Sequence, residues 1–370
     1  MISRYNEAID VVASGRDGSG KGLPFTVDKL TKTLGGITPN TQYLILGKSK
    51  TGKSRFAYDS FIFNQIDQLY LDMKSGKKSI FNLTVFLFTF EIAPVNITLL
   101  AMCRYLYLYT DKHTLTFPKQ IAGRFGKCDT ELYELLYSDE MREYVNFFYS
   151  KVKTYSVAYP NWIDGIVRKY CISLSKQISL DELGRPIYKF NSLENKVHVV
   201  VDHLSLVTVP QGMKLKQALD ATSAYLFVLK NEFPISTVLL QQINPQDRKD
   251  DREMVLPDHE NARDTKNTFQ DCDVCIALGA PFHLERMTFK YKNQFYNIIP
   301  DESNGYRGLK DRFRIIGIQK DRDGEANKRC PAGYVGEVGM FTDIQDPDYV
   351  GNNGDLYAIW DTVQRTYPTI

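Results

Sequence analysis

Residues 47–54 read Gly47-Lys48-Ser49-Lys50-Thr51-Gly52-Lys53-Ser54, the complete G-x-x-x-x-G-K-[ST] pattern of a phosphate-binding loop. The apolar run 43–46 precedes this loop as a buried strand would, and residues 54–66 follow it with the apolar spacing of a helix. Strand, glycine loop and helix in this order are the context that the pattern requires. Because backbone N–H groups at a helix N-terminus bind phosphates, the stretch favours a nucleoside triphosphate site over a simple glycine turn.

Two side chains of this loop supply chemistry that the backbone lacks. Lys53 is expected to neutralise the charge of the β- and γ-phosphates. The Ser54 hydroxyl is expected to join the coordination shell of Mg²⁺. The loop therefore predicts a triphosphate bound together with a magnesium ion.

Composition limits the class of protein. The chain has 370 residues, 43% of them apolar, and a formal net charge of +2. This length allows one large α/β domain or two small ones, and the balanced charge makes any nucleic-acid surface local rather than global. No apolar stretch of about 18 residues and no signal-peptide pattern occurs in the sequence, so we expect no membrane partner and an intracellular protein.

The six cysteines are scattered along the chain, which fits a reducing compartment. Cys272 and Cys275 form a C-x-x-C pattern, but they lie where the apolar run 274–278 begins, and no second pair is near. Buried thiols are therefore expected here rather than zinc ligands.

The rest of the chain alternates strand-like and helix-like segments. The apolar runs predict buried strands at 83–90, 197–201, 235–240 and 274–278, and the helical periodicity predicts helices at 97–109 and 130–152. Later strands at 285–291, 313–318 and 335–341 are expected to pair as hairpins, and residues 172–195 indicate a loop or hairpin excursion. This order predicts an α/β fold with a mostly parallel central sheet, flanking helices and C-terminal β-hairpins.

Two carboxylates follow buried strands directly. Glu91 closes the run 83–90, and Asp202 closes the run 197–201. In open α/β sheets the carboxyl ends of the strands line the ligand crevice, so both side chains are expected to face the phosphate loop. Triphosphate hydrolysis needs one carboxylate to hold Mg²⁺ through water and another to activate the attacking water. The alternative role for an acid at a strand end is a helix N-cap.

A third predicted strand, 235–240, ends in Gln241-Gln242-Ile243-Asn244. A polar amide at this edge would sense the γ-phosphate and transmit its state to the following loop. The alternative is an amide that is simply solvated at the rim of the crevice.

The order of these motifs resembles the RecA-like ATPase domain of the DnaB family of replicative helicases. The likeness extends from about residue 22 to residue 341 and rests on the sequence of motifs more than on any one of them. Besides the phosphate loop, it is carried by Gly22-Leu23-Pro24-Phe25-Thr26-Val27-Asp28-Lys29-Leu30 with Leu34-Gly35-Gly36-Ile37, Phe90-Glu91-Ile92 with Arg104, Asp202-His203-Leu204-Ser205-Leu206, Gln241-Gln242-Ile243-Asn244, Ala262-Arg263-Asp264 with Gln270-Asp271-Cys272-Asp273-Val274, and Ile318-Gln319-Lys320-Asp321-Arg322-Asp323-Gly324.

The resemblance implies a RecA-like P-loop NTPase that binds ATP between the subunits of a ring, usually a homo-hexamer. It makes Glu91 the catalytic base and Gln242 the γ-phosphate sensor, and it makes Asp202 a magnesium ligand together with Ser54. It also makes Lys320 and Arg322 cationic fingers that reach the neighbouring subunit's nucleotide. Taken without the family, the segment 320–324 indicates only a charged hairpin turn.

Single-stranded DNA is the polymer that the resemblance implies. In RecA-like rings the loops after the second and third of these strands point into a central channel. Here these loops carry Lys214 and Lys216 in the first, and Arg263 and Lys266 in the second. Contacts to the DNA backbone are expected to dominate because neither loop offers an obvious aromatic platform. The alternative is that these charges are only solvated.

The domain organisation follows from the same resemblance. Residues 22–370 are predicted to form the ATPase domain, and residues 1–21 a short amphipathic helix followed by a flexible linker. That helix is expected to dock on an adjacent subunit or, alternatively, to pack on its own domain. The family's N-terminal collar domain is not expected in this chain, and Pro245 and Lys266 depart from the family pattern.

The function that the sequence predicts is that of an ATP-dependent, ring-forming helicase or translocase on single-stranded DNA in replication. A primase or a loader is the expected protein partner, and the cytoplasm of a bacterium or of a phage-infected host is the expected location. Two alternatives remain open: a RecA-like recombinase that coats DNA as a filament, and a nucleotide-gated regulatory ATPase without unwinding activity.

Overall fold

The computed structural model describes residues 21–110, 114–127, 129–180, 186–243, 255–257, 266–299 and 308–345, with single positions at 9, 12, 184 and 347. Its helices are α1 Asp28–Leu34, α2 Lys53–Tyr58, α3 Asn64–Lys74, α4 Pro94–Leu108, α5 Pro118–Ile121, α6 Thr130–Leu136, α7 Asp139–Lys151, α8 Pro160–Ser173, α9 Leu215–Glu232 and α10 Lys266–Asp271. A π-helical turn, Asp59–Phe63, joins α2 to α3.

Thirteen strands belong to the described residues. They are β1 Thr41–Gly47, β2 Asn82–Thr89, β3 Val152–Tyr155, β4 Ser175–Leu180, β5 Pro186–Phe190, β6 Asn195–Asp202, β7 Ser236–Gln242, β8 Val274–Gly279, β9 Thr288–Tyr291, β10 Gln294–Asn297, β11 Phe313–Asp321, β12 Lys328–Val335 and β13 Met340–Asp343.

Nine of these strands form one twisted sheet in the order β13-β12-β11-β8-β1-β7-β6-β2-β3. The six strands from β8 to β3 run parallel, whereas β11, β12 and β13 pair antiparallel at one side. The central strands are buried on both faces because helices cover both, which explains their nearly uninterrupted apolar runs. The predicted α/β architecture with C-terminal hairpins is confirmed.

Two apolar layers hold the helices against the sheet. On one face, α2, the π-helical turn, α3, α4 and α7 pack over side chains such as Ile45, Val85 and Leu240. On the other face, α8 and α9 pack over Leu44, Phe88 and Val199. Since successive side chains of a strand point to opposite faces, neighbouring residues of β1 enter different layers.

Three predicted elements differ from the structure. The helix predicted at 130–152 is two helices, because the Ser138 hydroxyl accepts from the Met141 backbone N–H and caps a new helix there. The strand predicted at 335–341 is a tight turn between β12 and β13, in which Gly339 has a φ of 65°. The strand predicted from residue 285 begins only at Thr288, since Glu285 is left-handed and ends a short 3₁₀ turn.

Other predictions on the fold agree with the structure. Residues 175–190 form the two-stranded hairpin β4–β5, as expected for the excursion before β6. Cys272 and Cys275 are buried thiols, and no group of three or more metal-binding side chains occurs in the described part of the chain. The helix predicted at 2–13 lies outside the described residues except for Ile9 and Val12. Among the residues that are described, no helix is both long and apolar enough to span a membrane.

Candidate active site

The phosphate loop joins the buried end of β1 to the start of α2, and two of its positions require glycine. A Cβ on Gly47 would lie 2.5 Å from the Thr51 hydroxyl, so that a side chain there would push the loop open. Gly52 has a φ of 93°, which L-residues with a side chain rarely adopt. The loop is therefore a compact cradle whose backbone lies at the N-terminus of a helix, as anion binding requires.

Lys53 is the first residue of α2 and is only 8% exposed. Its Nζ donates a 2.9 Å hydrogen bond to the carbonyl oxygen of Lys48 within the loop. Burial lowers the pKa of the Lys53 ammonium to about 8, although the charges of Asp202 and Glu91 act in the opposite direction. A cation that has lost much of its hydration at the mouth of the cradle gains strongly from an anionic ligand.

Asp202 ends β6 and is held from two sides by hydroxyl groups. The Ser54 Oγ donates to its Oδ1 at 3.0 Å, and the Tyr58 hydroxyl donates to its Oδ2 at 2.6 Å. Burial raises the pKa of the Asp202 carboxyl, while these two hydrogen bonds favour the ionised form and lower it. One serine hydroxyl and one carboxylate are hard oxygen donors, and Mg²⁺ in nucleotide sites uses such a sparse protein set together with phosphates and water.

Glu91 follows β2 at the same edge of the sheet. The register pairs Thr89 of β2 with Asp202 of β6, so the two acids leave neighbouring strands side by side. The Glu91 side chain is 54% exposed, and its Oε2 lies 3.7 Å from Nε2 of His203. His203 in turn shares a 2.6 Å hydrogen bond with the Ser205 hydroxyl. An accessible carboxylate beside the phosphate cradle is placed to take a proton from water.

Gln242, the last residue of β7, stands directly beside Gly47, the last residue of β1. The backbone N–H of Ile243 donates to the Gly47 carbonyl at 3.1 Å, which ties the two strand ends together. Gln242 also lines a cavity of about 460 Å³ with His203, Ser205 and Lys216. The sensor position is thus in contact with both the cradle and the loop region that follows β6.

A second cavity, of about 510 Å³, opens beside the cradle. Arg55, the residue after Ser54, lines it together with Ile92 and Asn96, which follow Glu91. Its remaining walls come from α4, α5 and the β12–β13 turn and include Leu99, Phe117, Lys119, Arg124, Phe125 and Gly336. Sequence reasoning missed this cavity, and no motif signals it, because its lining comes from four separate segments.

Lys320 and Arg322 lie at the opposite edge of the sheet from the cradle. Lys320 is beside Cys275, near the amino end of β8, whereas Gly47 pairs with Leu278 at its carboxyl end. The Lys320 ammonium donates to the carbonyl oxygens of Phe269 and Gln270 at 2.8 and 3.0 Å. Arg322 forms a 3.0 Å ion pair with Asp273 and remains 45% exposed. The structure therefore does not bring these two cations to the Lys53 of their own chain.

The predicted DNA-binding residues are only partly within the described residues. Lys214 and Lys216 are exposed at the start of α9. Lys266 is the first residue of α10, and Arg263 lies outside the described residues, as does Pro245.

Arg104 is remote from the cradle and fully buried in α4. It donates to Asp59 at 2.6 Å and to Asp67 at 2.7 Å, and the Phe341 backbone N–H donates to the other oxygen of Asp59. Burial raises the pKa of the Asp59 carboxyl to about 6, against the opposing effect of the Arg104 charge. This cluster holds the π-helical turn after α2 against α4 and β13, and so fixes the helix that begins in the phosphate loop.

Solved structures with this fold include an ATPase domain and a replicative helicase. The chain is similar to the ATPase domain, with a TM-score of 0.61 and 16% sequence identity over 92% of this chain and 98% of that chain. It is also similar to a DnaB-like replicative helicase whose structure was described with its interactions with primase, with a TM-score of 0.60 and 15% identity over 92% of this chain and 66% of that chain. No family model and no curated protein matches the sequence. At these identities the likeness shows the fold, which is the RecA-like P-loop fold that the motif order predicts.

Proposed function

We propose that this chain is an ATP-dependent helicase or translocase that acts as a ring on single-stranded DNA in replication. The observation that carries the proposal is the convergence of Lys53, Ser54, Asp202 and Glu91 at one edge of a sheet whose fold a DnaB-like replicative helicase shares. Each of these side chains has the chemistry that hydrolysis of ATP needs at that position.

The roles follow from geometry and charge. The backbone of residues 47–54 holds the phosphates, and Lys53 stabilises the charge that develops on the transferred phosphoryl group. Mg²⁺, bound through Ser54 and Asp202, would neutralise phosphate charge. Glu91 accepts the proton of the attacking water, since its exposed carboxylate stands beside the cradle. The cavity beside Arg55 has the size and the apolar walls to take the base and ribose.

The distance of Lys320 and Arg322 from their own cradle supports a site that two subunits share. In a ring, the edge that carries these cations would face the next subunit's nucleotide, and a cationic finger supplied in trans stabilises transition-state charge. A homo-hexamer with ATP at its interfaces is the assembly that we propose, with a primase or a loader as its partner.

Coupling to DNA would pass through the cavity that Gln242 shares with Lys216. A γ-phosphate contact at Gln242 would alter the packing beside the start of α9, where Lys214 and Lys216 are exposed. Lysines that track a phosphate backbone bind single strands without reading their sequence.

The test is ATP hydrolysis with and without single-stranded DNA, together with unwinding of a forked duplex. Glu91→Gln is expected to lower hydrolysis by about a hundredfold or more while nucleotide binding persists, since it removes a general base and keeps the shape. Glu140→Gln, at an exposed glutamate of α7, is the matched control and is expected to behave as the wild type.

The outcomes separate the parts of the proposal. Hydrolysis that DNA does not stimulate, without unwinding, would remove the helicase and leave an ATPase of regulatory type. Electron microscopy of the protein with ATP and DNA distinguishes closed rings, which we expect, from open helical filaments of a recombinase.

A further inference from the structure

An exposed aromatic pair lies at the start of α8, outside the nucleotide site. Trp162 is 51% exposed, which is unusual for so large an apolar ring. Its edge packs on Tyr159, with the ring centroids 4.8 Å apart and the planes at 81°. Tyr159 thereby holds one side of the indole and leaves the rest of it open to solvent. Such a ring is fixed in place before any ligand arrives, which lowers the entropic cost of binding.

The pair lies at the same edge of the sheet as the phosphate loop and the predicted DNA loops. β3 runs parallel to β2 and ends at Tyr155 opposite Phe88, so residues 156–162 leave the sheet at its carboxyl edge. The backbone N–H of Thr208 donates to the Ala158 carbonyl at 3.1 Å. This bond fixes the segment before Trp162 against the loop that follows β6, which leads to Lys214 and Lys216.

The surroundings of Trp162 favour a polyanion with flat apolar groups. Neither segment 156–162 nor segment 203–217 contains an aspartate or a glutamate. The nearest acid along α8, Asp164, is held in an ion pair by Arg168 at 3.0 Å. Exposed apolar side chains of Val157 and Val209 flank the pair. We name this area, formed by residues 156–162 and 207–216, the Trp162 surface.

We propose that the Trp162 surface is a base-stacking platform for single-stranded DNA, with Lys214 and Lys216 contacting the backbone of the same strand. Base–aromatic stacking tolerates any sequence, because every base has a flat apolar face. The proposal rests on the proposed function, since it presumes a single strand at this edge. It also revises the expectation that backbone contacts dominate. The sequence does not reveal the platform, because Trp162 precedes β6 in the chain and only the fold brings it to the loop.

Tryptophan fluorescence offers a direct test, because the chain contains only two tryptophans, Trp162 and Trp360. In the full chain carrying Trp360→Phe, with Mg²⁺ and a non-hydrolysable ATP analogue, titration with oligo(dT) is expected to quench the Trp162 emission to saturation. An abasic oligonucleotide of equal length is expected to bind more weakly and to leave the emission nearly unchanged. Quenching that does not depend on bases would overturn the platform.

Substitution provides a second, independent test. Trp162→Ala is expected to weaken oligo(dT) binding by about tenfold while leaving its salt dependence unchanged, and Trp162→Phe is expected to retain most of the affinity. The double substitution of Lys214 and Lys216 by alanine is expected to reduce the salt dependence instead. Tyr137→Ala is the matched control, since Tyr137 is also exposed and stacks on Tyr133 with centroids 4.4 Å apart.

The failure of this inference and that of the proposed function look different. If Trp162→Ala binds oligo(dT) as the wild type does, while DNA still stimulates ATP hydrolysis, the platform is wrong and the translocase proposal stands. If the wild type binds no single-stranded DNA under any nucleotide condition, both are wrong. Should Trp162→Ala not fold, judged by circular dichroism, the fluorescence titration of the Trp360→Phe protein still decides.

Discussion

Tyr58 donates a 2.6 Å hydrogen bond to Oδ2 of Asp202, and both side chains are almost completely buried. Tyr58 is the last residue of α2, the helix that begins in the phosphate loop, whereas Asp202 ends β6, which lies two strands from β1 in the sheet. The bond therefore links the helix of the loop to the carboxylate that is expected to hold Mg²⁺. It leaves Oδ1 for Ser54 and fixes the rotation of the carboxylate.

Tyr58→Phe is expected to weaken the use of Mg²⁺ without abolishing the fold. Loss of a hydrogen bond to a charged group favours the protonated acid, so the pKa of Asp202, already raised by burial, rises further. A larger protonated fraction competes with the metal, and the acid limb of the ATPase pH profile should move to higher pH. The concentration of Mg²⁺ for half-maximal hydrolysis is expected to increase by about tenfold.

The control for this substitution is Tyr144→Phe. Tyr144 is a buried tyrosine that also donates to an aspartate, Asp67, at 2.9 Å, but far from the cradle. It is expected to lower the melting temperature with no change in Mg²⁺ requirement. Equal Mg²⁺ titrations for Tyr58→Phe and the wild type would show that Tyr58 only fills space.

Lys53 makes ATP affinity dependent on pH in the alkaline range. Its pKa is lowered to about 8 by burial, and bound phosphates would raise that pKa again. Between the two pKa values binding takes up a proton, so affinity must fall as pH increases above about 8, by up to tenfold per pH unit. Isothermal titration of a non-hydrolysable ATP analogue from about pH 7 to about pH 9.5, in two buffers of different ionisation enthalpy, measures both the affinity and the proton uptake. Affinity that is constant over this range would place the Lys53 pKa well above 8.

The phosphate loop and the two acids were predictable because they follow from local rules. Apolar runs identify buried strands, and in a parallel sheet the residues after those strands share one edge, which is why Glu91 and Asp202 were located beside Lys53. Tyr58 was not predictable, since a tyrosine at the end of an amphipathic helix has the pattern of any core residue. Its role depends on the distance between α2 and β6, which only the packed fold sets.

Turns and helix breaks marked a second limit of the sequence. The run 335–341 is apolar enough for a strand, yet the left-handed Gly339 within it makes it a hairpin turn. Ser138 likewise divides a periodic stretch into α6 and α7 by capping the second helix. In both cases one residue with a special backbone preference outweighed the apolar pattern around it.

Arg104 is expected to be a determinant of stability rather than of catalysis. Arg104→Met would leave the carboxylates of Asp59 and Asp67 buried without their cation, and breaking such a cluster costs about 3–5 kcal/mol of unfolding free energy. Because the pKa of Asp59 would then rise above its present value of about 6, more of the acid is neutral in the fold at low pH. The loss of stability should therefore be smaller at about pH 5 than at about pH 8, as measured by urea denaturation.

A compensated variant is the control for Arg104. Arg104→Met combined with Asp59→Asn and Asp67→Asn removes the charges together and is expected to recover most of the lost stability. If the single and triple variants are equally unstable in mildly alkaline buffer, packing of the long side chain, rather than its charge, is what Arg104 contributes.

Arg322 is expected to act on the nucleotide of a neighbouring subunit. Its exposed guanidinium lies at the opposite sheet edge from Lys53, so Arg322→Ala should lower hydrolysis by about a hundredfold or more only if the protein assembles with this edge against another cradle. Mixing is then informative. In an equal mixture of Arg322→Ala and Glu91→Gln proteins, each inactive alone, about a quarter of the interfaces would combine an intact Glu91 with an intact Arg322. Hydrolysis near a quarter of the wild-type rate is expected. Arg329→Ala, at an exposed arginine of the neighbouring strand β12, should be fully active, and a mixture that stays inactive would assign Arg322 to its own subunit.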